Sequence, residues 1–162
     1  MGVARPIKPE YSVRLSAEVA RRRILNQHVG LRRLLKASLE AVRAALDGEG
    51  PGRAAFGVLV SATYLEFVRH LAEEEALLLP ILEEDLPLGP QRAEALRDEH
   101  ARQRAELDAL RASRTTEDFD ARAARFCSLV SALLVDMDHE EAELLTRDAI
   151  RDDGVVVDQC SG

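Results

Sequence analysis

Four stretches of this chain carry apolar residues every three or four positions, and two clusters of Gly and Pro and one polar segment interrupt the pattern between them. That spacing follows the 3.6-residue turn of an α-helix, so each stretch must bury one stripe against a neighbour. The stripes run Leu25, Leu31, Leu35, Val42 and Leu46, then Phe56, Val60, Phe67 and Leu77, then Leu96, Leu107 and Leu110, and finally Phe126, Leu129, Leu133 and Val135. No alternating strand pattern competes with them. Short connections between the helices forbid long crossovers, so the sequence predicts an all-α, up-down-up-down four-helix bundle.

The breaks set the boundaries. The first helix is expected from about Leu15 to Leu46, with Ser12 or Ser16 as its cap and Gly48, Gly50, Pro51 and Gly52 as its stop. The second runs from about Arg53 to Leu79, where Pro80 kinks or ends it. Pro90 suits the first turn of a third helix reaching about Ala112, and Thr115 or Thr116 caps a fourth that extends to Arg147 or Ile150. This gives an extended N-terminal arm over 1–14, a bundle over 15–150 and a C-terminal tail over 151–162.

Composition narrows the function. The formal net charge of -7 argues against a sequence-independent nucleic-acid binder, which needs Lys and Arg to neutralise phosphates. No run approaches the roughly 20 apolar residues that span a bilayer, and the N-terminus lacks the apolar region of a signal peptide, so a cytoplasmic protein without membrane contact is expected. Pro6 stands where a myristoylation signal wants Ser or Thr. Cys127, inside an apolar helical run, reads as a small core residue, and Cys127 with Cys160 makes no disulfide framework.

Each predicted helix carries one histidine in line with its apolar stripe. His28 follows Leu25 by three, His70 follows Phe67 by three, His100 follows Leu96 by four, and His139 follows Val135 by four. All four are therefore expected to point inward, where a buried ring without partners for its nitrogens costs about 1–3 kcal/mol. A metal ion would remove that cost. Glu74 lies four residues after His70 and Glu143 four after His139, which stacks each pair on one helix face. Six nitrogen and oxygen ligands without thiolate suit iron or manganese better than a structural zinc site, and using all six requires two ions, with Glu74 and Glu143 bridging.

These residues, in this order, resemble the hemerythrin-like, or HHE cation-binding, domain. The resemblance rests on His28-Val-Gly-Leu31-Arg-Arg-Leu34-Leu35, on His70-Leu-Ala-Glu73-Glu74-Glu75 followed by Pro80, on Glu99-His100, and on His139-Glu140-Glu141-Ala-Glu143. It implies a hemerythrin-like bundle with two Fe ions, an oxo- or hydroxo-bridged non-haem di-iron centre, manganese or zinc being the alternatives. Carried over by position, His28 and His70 would hold one iron, His100 and His139 the other, and Glu74 and Glu143 both. Ferritin-type bundles differ, placing a His three residues after a Glu.

One position departs from the oxygen-carrying members, which have a second His four residues after the third-helix His. Here it is Arg104, read as a surface residue or as a cation beside a bound anion. Glu66, Tyr64 and Tyr11 are weaker candidates near the metals, and the remaining acids of the Glu73–Glu75 and Glu140–Glu141 runs read as solvated faces. The expected function is binding or sensing of oxygen, nitric oxide, peroxide or iron, with catalase- or peroxidase-like chemistry on hydrogen peroxide as the alternative.

Overall fold

Ser16 opens the first helix by accepting a hydrogen bond from the backbone N–H of Val19 at 3.3 Å, satisfying a donor the helix start leaves unpaired. In the computed structural model, which describes residues 16–48, 52–85, 88–113 and 118–146, this helix is α1, Ala17–Leu46, followed by α2, Gly52–Asp85, α3, Gly89–Ala112, and α4, Phe119–Glu143. Gly48, at φ 78°, takes the left-handed conformation that ends α1. The predicted arm with Tyr11, the predicted tail and the Thr115 or Thr116 cap lie outside the described residues. Asp118 caps α4, its side chain accepting from Asp120 N at 3.1 Å.

Pro80 does not end the second helix. α2 continues through it to Asp85, with Pro80 exposed, so the hydrogen bond its missing N–H forgoes lies at the surface. α1 packs on α2 and α4, and α3 on α2 and α4, which closes a four-helix bundle. No described helix is long and apolar enough to cross a membrane.

The interior is divided. One apolar cluster includes Leu31, Leu35, Phe67, Leu71, Leu107, Phe126, Leu133 and Met137. A smaller one comprises Ala17, Ile24, Leu78, Leu82, Ala93, Leu96 and Leu145. On every helix the layer between the two is polar: His28 lies between Ile24 and Leu31, His70 and Glu74 between Phe67 and Leu78, and His100 between Leu96 and Leu107. On α4 the same interval, from Met137 to Leu145, is filled by Glu140.

The fourth stripe differs from its expected course. Val135 is 51% exposed, and the buried positions are Arg122, Ala123, Phe126, Leu129, Val130, Leu133 and Met137. The Leu133-Leu-Val135 run offers more than one helical face, and Met137 settles which is inward. Replacing Leu133 with Ala is expected to destabilise the protein by about 2–5 kcal/mol, and Val135→Ala by no more than about 0.5 kcal/mol, in urea unfolding followed by circular dichroism.

Candidate metal centre

Four donor atoms, one each from His28, His70, Glu74 and Glu140, lie within 4.8 Å of one another. His70 Nε2 is 3.2 Å from Glu74 Oε2, and His28 Nε2 is 3.5 Å from Glu140 Oε2. His100 approaches from α3, its Nε2 3.7 Å from the same Glu74 oxygen. His28, Glu74 and His100 are fully buried and His70 nearly so, while the Glu140 side chain is 11% exposed.

Each ring is turned by a partner on its other nitrogen. His28 Nδ1 donates to Glu141 Oε1 at 2.9 Å, His70 Nδ1 to Gln27 Oε1 at 2.9 Å, and His100 Nδ1 to Glu75 Oε1 at 3.0 Å. Carboxylate and amide oxygens accept here, so the proton belongs on Nδ1 and the Nε2 lone pair faces the centre. Burial lowers the pKa of His28 and of His100 and keeps both rings neutral. The carboxylates that hold them are held in turn: Arg32 Nη1 donates to Glu141 Oε1, and Arg104 Nη1 to Glu75 Oε1 at 2.7 Å. Burial works against the charge on Glu141 and Glu75, but the hydrogen bonds from Arg32 and His28, and from Arg104 and His100, keep both carboxyl pKa values below the usual range.

A two-fold relation runs through these contacts, matching α1 with α3 and α2 with α4. His28 and His100 correspond, as do Arg32 and Arg104 four residues on, Glu74 and Glu140, and Glu75 and Glu141. Gln27, next to His28, holds His70. Its counterpart Glu99, next to His100, is tied through the Gln103 amide to Asp136, since Gln103 Nε2 donates to Glu99 Oε1 at 3.0 Å and to Asp136 Oδ2 at 3.1 Å. Asp136 thus occupies the place that the relation assigns to the counterpart of His70.

The residues fit a cation. His28 Nε2, His100 Nε2 and both Glu74 oxygens are buried without hydrogen-bond partners among the described residues. Burial, and after it the Glu74 carboxylate, pushes the Glu140 carboxyl up to about 9. Buried orphan acceptors and crowded carboxylates are each costly alone, and a divalent cation between them relieves both.

The profile of the hemerythrin HHE cation binding domain matches residues 19–147. The chain belongs to that family. Neither a curated protein nor a solved structure matches it. Within this HHE domain the structure brings together His28, His70, Glu74 and His100 of the six residues singled out in the sequence, and it does not bring in His139 or Glu143. Both of these are exposed. The expectation that all four histidines point inward is therefore corrected for His139, because its assumed neighbour Val135 is itself outside the core.

Glu140 faces the centre where Glu143 was expected. The Asp136-Met-Asp-His-Glu140-Glu-Ala-Glu143 segment contains two pairs spaced by four, and a preference for histidine selects the wrong one. The Glu-Glu doublets 74–75 and 140–141, and the recurrence of Arg four residues after His28 and His100, are the signals that identify the other. Arg104 is partly exposed and anchors Glu75. Glu66 is exposed and paired with Arg69. Tyr64 stacks under Arg111, 4.1 Å from ring centroid to guanidinium carbon, near the end of α3 and away from the centre.

Metal content per chain after purification is expected to be unchanged in His139→Ala and Glu143→Ala, and reduced in His28→Ala and Glu140→Ala. Glu141→Ala, which releases the His28 ring without deleting a donor, is expected to weaken metal retention against a chelator by about 10–100-fold.

Proposed function

We propose that this HHE domain is a cytoplasmic protein that holds a non-haem pair of iron ions and uses it to bind or sense a small ligand such as oxygen, nitric oxide or peroxide, with ion occupancy coupled to the stability of the bundle. One observation carries the reading: imidazoles and carboxylates from all four helices converge on one layer, where His28 Nε2, His100 Nε2 and both Glu74 oxygens are buried without hydrogen-bond partners among the described residues. Nitrogen and oxygen donors without thiolate favour iron or manganese over a closed zinc site.

In this reading His28 and His70 supply imidazole nitrogen on one side and His100 on the other, and Glu74 and Glu140 are shared. The bound irons would supply redox activity and open coordination positions for the small ligand. The protein's part is preparation. Glu141, Gln27 and Glu75 fix the tautomer and tilt of the three rings, and the apolar clusters on both sides keep the layer dry.

Because the donors come from four helices, a filled centre stabilises the folded state and not the unfolded chain. Free iron at 100 times its dissociation constant is expected to add about 2.7 kcal/mol, seen as a higher Tm in calorimetry of the iron-loaded against the chelator-stripped protein. Equal Tm values for the two forms would sink the proposal.

A further inference from the structure

We propose that the two cation positions are chemically unequal, the first furnished by His28 and His70 and the second by His100 and Asp136, with Glu74 and Glu140 common to both. This rests on the metal-binding reading given above and goes beyond it in assigning Asp136 a ligand's role and in ordering the two positions.

The two-fold relation predicts a residue four positions before Glu140 to match His70, four before Glu74. That residue is Asp136. It is half-buried and sits against α3 through the 3.1 Å hydrogen bond from Gln103, one turn along the helix from His100. Two observations beyond the acidic side chains point to a ligand here. Among the described residues, the fully buried His100 Nε2 has no hydrogen-bond partner, and Gln103, 3% exposed, leaves its Oε1 unpartnered.

The donor sets then differ in kind. The first position has two imidazoles and two carboxylates whose atoms already lie within 4.8 Å of one another. The second has one imidazole, and its remaining donors are oxygens. Imidazole suits late first-row ions such as zinc, whereas oxygen-rich sets suit manganese and magnesium and hold the late ions less firmly. The first position therefore fills first, and the second takes a harder cation or empties more readily.

Anaerobic calorimetric titration of chelator-stripped protein with Fe²⁺ tests this. The expected result is two ions bound in two resolved steps whose affinities differ at least about tenfold, a separation of about 1.4 kcal/mol. Asp136→Ala is expected to abolish the weaker step and leave the tighter one within about threefold, and His70→Ala to do the reverse. Asp136→His, which completes the two-fold relation, is expected to raise second-step affinity for Zn²⁺ by about tenfold or more, within the range a single ligand or its support commands. Circular dichroism confirms the helical content of each variant.

One step of equal affinity, a single bound ion, two unaltered steps in Asp136→Ala, or an unaltered second Zn²⁺ step in Asp136→His would each overturn the inequality. Failure of the underlying reading looks different: the wild-type protein takes up no ion at all, and His70→Ala titrates like wild type.

Discussion

Glu74 and Glu140 meet in the middle of an otherwise apolar interior, and the rest of the structure is organised around that encounter. Burial disfavours the charge on Glu140 and the neighbouring Glu74 carboxylate adds repulsion, and together they raise its pKa. Imidazole nitrogens from three helices close round them. The bundle can tolerate the arrangement because the polar layer is one turn deep and continuous hydrophobic packing lies above and below it. Those clusters fix helix register, and register decides which side chains reach the layer.

Orientation is supplied from outside. A neutral imidazole can ligate through either nitrogen, and the choice follows from what the other one binds. Here Glu141 and Glu75 make that choice for His28 and His100, and Arg32 and Arg104 hold the two carboxylates at the bundle's edge. Exposed ion pairs of this type contribute little to stability on their own. Their value lies in direction: each arginine, one turn from the histidine it serves, steadies a carboxylate belonging to the neighbouring helix.

Much of this was legible in the residues. Four stripes, two Gly- and Pro-marked breaks and a third polar one pointed to the bundle, because burial of a helical face is a strong and regular demand. His28, His70, Glu74 and His100 were readable because each follows an unambiguous stripe. The fourth helix was not, for two physical reasons. Its apolar run offers alternative faces, and its acidic segment contains both Asp136 with Glu140 and His139 with Glu143 at the same spacing. Only packing, through Leu133 and Met137, separates them. The orienting acids were missed because a Glu beside a ligand looks like a solvated charge until the helix opposite is in place. Pro80 left open whether α2 kinks or ends; the helix runs through it to Asp85, with the proline on the exposed side.

The polar layer also divides the molecule into unequal parts. The larger apolar cluster draws on all four helices and contains the aromatic contacts of Phe56 with Phe119 and Phe126. The smaller one is made of helix ends: the start of α1, the last turns of α2, the start of α3 and Leu145 beyond α4. With far less surface to bury, it leans on the layer beneath it and on ties such as Arg21 donating to the Leu145 carbonyl at 3.3 Å. A change in how tightly His28, His70, Glu74, His100 and Glu140 are drawn together is therefore felt most at that end.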